Sequence, residues 1–99
     1  MIRGTTRTVS FTLPFEADRL AEAWITLSQQ GKVVLNKELR DCTREGKTIS
    51  VLLTQDETLL LQEGSSTEIQ LRVRTVEGNA MASRIHSVAT GRILKDGVI

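Results

Sequence analysis

Side chains suited to acid–base or metal chemistry are scarce in this chain. Cys42 is the only cysteine, His86 is the only histidine, and tyrosine is absent. A structural zinc site takes about four cysteine or histidine ligands, and a proton-transfer dyad needs a second group beside its histidine. We therefore predict that Cys42 and His86 bind no metal, that the chain uses no cofactor, and that it is not an enzyme.

Three carboxylates are close together in the sequence, at Asp56, Glu57 and Glu63. Thr54 and Glu57 have the spacing of a capping box, in which each side chain accepts a hydrogen bond from the backbone N–H of the other residue. Acidic residues in a first helical turn also interact favourably with the helix dipole. The pattern predicts the start of a short helical turn and not a catalytic pair.

Trp24 is a candidate contact residue. Its neighbours alternate, with Ala23, Ile25 and Leu27 on one side of a predicted strand and Trp24 on the other. If the apolar side faces the core, Trp24 points outward, and exposed tryptophan is common at the centre of protein interfaces. The alternative is that a neighbouring strand or loop covers the ring.

Arginines form a second candidate contact surface. Arg72 and Arg74 lie two residues apart on one predicted strand, and Arg84 lies on the next. Such a stripe is suited to an acidic partner or a phosphate, although a solvated sheet face has the same composition.

Composition narrows the class of protein. Hydrophobic residues make up 39% of the 99 residues and charged residues 25%, which is typical of one folded domain, residues 1–99. Thirteen basic and twelve acidic residues leave a net charge of +1, without the basic excess of a nucleic-acid-binding protein. No apolar run is long enough for a membrane span, and the first residues lack the apolar run of a signal peptide. We therefore expect no nucleic acid or membrane partner and, by default, a location in the cytoplasm.

Strands are predicted from apolar residues that alternate along the chain. Three glycines each end a three-residue stretch between such runs, at residues 29–31, 44–46 and 76–78, which is typical of hairpin loops with a left-handed last residue. The first and third loops would place these residues opposite each other: Leu27 and Val33, Ile25 and Leu35, Val73 and Met81, Ile69 and Ile85.

The register has two further consequences. The third loop would direct Ile85 inward and His86 outward. Because Ile85 and Val88 have opposite parity, a bulge between them or one exposed aliphatic residue is then required. At the second loop the register stays open, because a three-residue loop pairs Asp41 with Ile49 whereas a two-residue loop pairs Cys42 with Ile49.

About seven strands with one short helical turn indicate an all-β protein, an immunoglobulin-like or fibronectin-like β-sandwich. The residues after the last strand, 91–99, form a tail without clear periodicity. Its four large aliphatic side chains need cover, either from their own domain or from another chain. We favour a docking tail in which these residues contact a partner: Ile93, Leu94, Val98 and Ile99.

Several segments carry a family resemblance: residues 1–6 (MIRGTT), 11–15 (FTLPF), 53–55 (LTQ) and 91–99 (GRILKDGVI). With these segments the chain resembles short uncharacterised proteins encoded in prophages of Firmicutes. It is also similar, in architecture only, to the sandwich domains that begin phage baseplate proteins. The resemblance implies a phage protein without a catalytic motif, but the chain lacks the long region that binds a receptor in baseplate proteins.

The function that we expect from this resemblance is that of a phage-derived structural or adaptor protein, which acts through a protein partner or self-association in virion or tail assembly. Its expected location is the bacterial host cytoplasm, with the virion as the alternative. The alternative is a stand-alone β-sandwich module that binds a small ligand or carbohydrate through loops at one end. Scarce aromatic residues argue against sugar stacking.

Overall fold

The alternating apolar residues form strands, as predicted. The computed structural model describes residues 1–99 and shows an all-β protein with short helical segments. It has eight strands, one more than expected, because residues 83–85 divide the strand that follows Gly78 in two. The elements are β1 Arg7–Thr12, β2 Leu20–Gln29, β3 Lys32–Glu38, β4 Cys42–Glu45, β5 Thr48–Leu53, α1 Gln55–Thr58, β6 Ser66–Thr75, β7 Ala80–Ala82 and β8 His86–Ala89, with 3-10 turns at Ala17–Arg19 and Leu39–Asp41.

The strands form two sheets, which confirms the sandwich prediction. A three-stranded sheet has the order β1-β5-β4, and a five-stranded sheet has the order β3-β2-β6, with β7 and β8 both paired to the free side of β6. These orders match strands B-E-D and C′-C-F-G of the immunoglobulin fold, with β7 and β8 as two halves of the last strand. No strand lies beside β1, where strand A pairs in that fold.

The core lies between the sheets and is almost entirely aliphatic. Because side chains alternate along a strand, every second residue of β2, β5 and β6 points into it. The buried hydrophobic residues are Leu13, Ala17, Leu20, Ala23, Ile25, Leu27, Ile49, Val51, Leu53, Leu61, Ile69, Leu71 and Val73.

The loop prediction was wrong for the hairpin of β2 and β3. Gln29 pairs with Lys32, so the turn has two residues, and both Gln30 and Gly31 have positive φ, at 53° and 76°. Two left-handed residues define the type I′ turn, whose twist suits paired strands. A register shift after Leu27 then places Leu27 opposite Leu35, and not opposite Val33. By the same shift, Ile25 lies opposite Lys37, and not opposite Leu35.

The hairpin of β4 and β5 has neither of the registers that were considered. Glu45 pairs with Thr48, so Gly46 and Lys47 form the turn and Cys42 lies opposite Val51. Cys42 therefore points toward the core, as the two-residue alternative also required. Gly46 takes the positive φ of 56° that this turn needs at its first position.

The hairpin of β6 and β7 has the predicted three-residue loop. The Thr75 N–H donates to the Asn79 carbonyl, and Gly78, the last residue of the loop, has a φ of 95°. Val73 lies opposite Met81, as expected.

The prediction for β8 was wrong by one residue. His86, and not Ile85, lies opposite Ile69, so His86 takes the inward position and Ile85 lies on the outer face with 55% of its surface exposed. The shift arises at Ser83, whose backbone N–H donates to the Leu71 carbonyl while its side-chain hydroxyl accepts from the Leu71 N–H. The irregularity therefore falls at residues 83–85 and not between Ile85 and Val88, and Ile85 is the exposed aliphatic residue of the alternative.

The capping box at α1 is confirmed. The Thr54 hydroxyl accepts from the Glu57 N–H at 3.3 Å, and the Glu57 carboxylate accepts from the Thr54 N–H at 2.9 Å. Lys37 of β3 lies 2.6 Å from the other Glu57 oxygen. Burial acts to raise the pKa of the Glu57 carboxyl, but the hydrogen bonds from Lys37 and Thr54 together outweigh it and lower the pKa.

No helix has the length or apolarity needed to cross a membrane.

Candidate functional site

The outer face of the five-stranded sheet has a tryptophan near its centre. Trp24 lies in β2 between Glu38 of β3 and Arg72 of β6, and Arg72 in turn lies opposite Ala82 of β7. Strand alternation turns Trp24 away from the core, and 38% of its surface is exposed. The outward orientation predicted from the sequence is therefore confirmed, and neighbouring strands and loops cover the ring only in part.

Polar neighbours hold the Trp24 ring in place. Its Nε1 donates to Glu22 Oε1 at 3.1 Å, and Glu22 Oε2 accepts from Arg74 Nη2 at 3.4 Å. The bond from the indole and the bond from Arg74 lower the pKa of the Glu22 carboxyl. The Glu22 carboxylate therefore stays ionised to a lower pH than a free glutamate side chain does.

Shallow depressions lie on both sides of Trp24. One has a volume of about 210 Å³ and lies toward β6 and β7, where Arg72 and Ala80 form its far side. The other, of about 360 Å³, lies toward Glu38 and Arg40. Glu22, Trp24 and Arg74 line both depressions.

The predicted arginine stripe is only partly assembled. Arg72 and Arg74 lie on the outer face of β6, where Arg74 is paired with Glu22 and Arg72 has no salt bridge. Arg84 lies in the irregular segment after β7, next to Ser83, whose carbonyl accepts from Gln70. Arg84 is exposed and unpaired, but it belongs to no strand. Arg72 and Arg74 therefore lie close together beside Trp24 because both belong to β6, whereas the position of Arg84 depends on the loop between β7 and β8.

The tail is attached to its own domain and still presents apolar side chains. Ile93 is half-buried and contacts Gly4, and Asp96 forms a salt bridge of 2.8 Å with Arg3. The backbone of Ile99 exchanges two hydrogen bonds with the Gln55 side chain. By contrast, three side chains point into solvent, and their exposed fractions are 90% for Leu94, 55% for Val98 and 93% for Ile99.

Cys42 lies on β4 of the three-stranded sheet, whereas His86 lies on β8 of the five-stranded sheet. The His86 ring meets Phe11 edge-on with centroids 5.9 Å apart. The Cys42 thiol donates to the Glu38 carbonyl at 3.4 Å, and burial, together with the nearby Asp41 carboxylate, raises its pKa. No group of three or more histidine, cysteine or acidic side chains has the geometry of a metal site.

Sequence reasoning missed a buried polar network at one end of the sandwich. Gln29 is 5% exposed, and its amide nitrogen donates to the Gln62 carbonyl at 3.0 Å and to Thr67 at 3.2 Å. The amide oxygen accepts from the Gln62 N–H, and the hydroxyls of Thr67 and Thr90 are 2.6 Å apart. The inward position of Gln29 could have been predicted, because Gln29 continues the alternation of β2. It was missed because Gln29 was assigned to the loop at residues 29–31.

Comparison with known proteins adds no assignment to this geometry. No protein-family model matches the chain, and no curated protein was found to be related to it. Function is therefore inferred from the residues of the outer face and of the sheet edges.

Proposed function

We propose that the chain is a phage-derived structural or adaptor protein without enzymatic activity, which binds another protein through the outer face of its five-stranded sheet. It acts in the host cytoplasm or the virion. The resemblance to prophage-encoded proteins supports the phage origin. The position of Trp24 supports the mode of action.

One observation carries this proposal, namely an exposed tryptophan with fixed geometry beside an unpaired arginine. Tryptophan and arginine are the residue types most enriched among those that dominate binding energy at interfaces. Because Glu22 holds the indole, little side-chain freedom is lost on binding. The partner surface that fits offers an apolar patch for Trp24 and a carboxylate for Arg72.

The shape of the site favours a protein over a small ligand. Small-molecule sites are concave and enclose most of the ligand surface. The two depressions beside Trp24 hold about 210 Å³ and 360 Å³, but both are open to solvent and neither would enclose a ligand. A flat face with one central aromatic residue is typical of a protein interface.

The test combines particle analysis with binding. Mass spectrometry of purified particles from an induced prophage shows whether the chain is part of the virion. Proteins encoded next to the chain are then titrated against it by calorimetry. The expected result is a complex that Trp24→Ala weakens by roughly 30-fold or more, the effect of an interface residue worth about 2 kcal/mol.

Thr26→Ala is the matched control, because Thr26 lies two residues further along the same outer face. It should change affinity by less than about threefold. Neighbouring genes that encode a metabolic pathway, or a complex that Trp24→Ala leaves intact, would contradict the proposal.

A further inference from the structure

The two sheets differ in width, and the difference leaves inward-facing side chains uncovered. Directly opposite residues on paired strands share a face of the sheet. Val73 is covered by the small sheet and 7% exposed, whereas Met81, opposite it on β7, is 39% exposed. Ile69 is buried, whereas His86, opposite it on β8, is exposed. The small sheet therefore ends one strand short of the edge formed by β7 and β8.

The strand at the end of the small sheet has an unpaired edge. The Leu13 N–H, one residue beyond β1, donates to the Lys47 carbonyl at 2.7 Å. In an antiparallel pair, the backbone groups of every second residue point to the partner. Val9 and Phe11 share the parity of Leu13 and bond toward β5, so the N–H and C=O groups of the intervening residues point away from it. These free groups belong to Thr8, Ser10 and Thr12.

After its first residue, Arg7, this edge lacks the features that block strand addition. Edge strands of soluble proteins are protected by charged residues, bulges, proline or short length. β3 has lysines near both ends and a register shift against β2, and β4, β7 and β8 have four residues or fewer. β1 has six residues, a regular register with β5 and no charged residue after Arg7.

An apolar groove adjoins the free edge. It holds about 190 Å³ between the end of β1 and β7, and Phe11, Phe15, Val73 and Met81 contribute to its lining. A strand added to β1 would extend over this groove, with alternate side chains directed toward Met81 and Phe11. The backbone edge requires an extended peptide, and the groove requires apolar side chains at every second position.

We propose that the β1 edge and its groove bind an extended segment of a partner protein, with apolar side chains at alternate positions, as a fourth strand of the small sheet. This is binding by strand addition. The surface is separate from the outer face that contains Trp24, and the inference does not depend on the function of that face.

The test uses a displayed library of random nine-residue peptides, selected on the immobilised full-length protein. The selected peptides should carry apolar residues at alternate positions. Ser10→Pro should weaken their binding at least about tenfold, because proline removes an outward N–H that makes no bond in the free chain. Ser10→Ala keeps that N–H and should bind as the wild type does.

Amide hydrogen exchange of the wild type is a second measurement that needs no variant. The amides of Thr8, Ser10 and Thr12 should exchange fast in the free protein and slowly with a selected peptide. Peptides without alternation, equal binding to Ser10→Pro, or fast exchange at these amides in the complex would overturn the proposal. Protection that rises with protein concentration in the absence of peptide would identify a second copy as the occupant, and it would also overturn the proposal. Trp24→Ala should leave peptide binding unchanged, which separates this result from the test of the outer face.

Discussion

Replacement of the buried Gln29 amide by an apolar side chain should destabilise the protein strongly. Gln29→Met retains the length of the side chain but removes its bonds to the Gln62 carbonyl, the Gln62 N–H and the Thr67 hydroxyl. A hydrogen bond contributes about 0.5–1.5 kcal/mol net, and a buried partner left unpaired costs about 1–3 kcal/mol. Because the backbone groups of Gln62 are only partly buried, they can recover bonds to water in the variant. We therefore expect a loss of about 2–3 kcal/mol.

This loss corresponds to a melting temperature roughly 10–20 °C lower for a domain of this size. Calorimetry and urea unfolding measure it. Gln62→Met is the matched control, because the Gln62 side chain is exposed and makes no hydrogen bond, and it should change stability by less than about 0.5 kcal/mol. Equal melting temperatures for Gln29→Met and Gln62→Met would refute the role given to the network. Thr90→Val should combine non-additively with Gln29→Met, since Thr90 lies 3.4 Å from the amide nitrogen.

Three further predictions concern single residues. The lowered pKa of Glu57 stabilises the fold above the unfolded-state pKa, and this contribution is lost as pH falls through the folded-state pKa. Glu57→Gln should therefore cost about 0.5–1 kcal/mol at pH 7 and nothing near pH 2 in urea titrations, and a constant cost would contradict this. Gly4→Ala should lower the melting temperature more than Gly64→Ala, because both have a φ of 78° but only at Gly4 does an added Cβ meet Ile93, at 2.7 Å. Cys42 should react with iodoacetamide at least about tenfold more slowly in the folded protein than in urea, because burial raises its pKa, and equal rates would refute that shift.

The sequence predicts strand faces better than it predicts turns. Parity along β2 placed Ile25 and Leu27 in the core and Trp24 outside, because a strand with one buried face tolerates no slip. Turn length follows from local backbone conformation, and a single glycine is compatible with several turns. Gly31 was therefore assigned to a three-residue loop, whereas the positive φ of Gln30 makes the turn one residue shorter.

The candidate contact residues show the same division. Trp24, Arg72 and Arg74 could be assigned to one face because each lies within a regular strand. Arg84 could not be assigned to that face, because the regular strand pairing ends at Ser83. There the Leu71 N–H donates to the Ser83 hydroxyl and not to a backbone carbonyl. The free edge of β1 could not be predicted from the sequence either. The identity of the strands at the edges of a sheet depends on long-range topology and not on the local sequence pattern.

The register shift at residues 83–85 and the open edge of β1 are physically related. A continuous register from β7 into β8 would have put Ile85 opposite Ile69, in an inward position that the small sheet does not cover. An exposed isoleucine beside an unpaired strand edge favours aggregation. The shift puts His86 there instead, and its imidazole tolerates water while its ring edge still meets Phe11. At this position the uncovered end of the sandwich therefore carries a side chain that is compatible both with solvent and with an added strand, while Ile85 lies on the outer face, away from the free edge of β1.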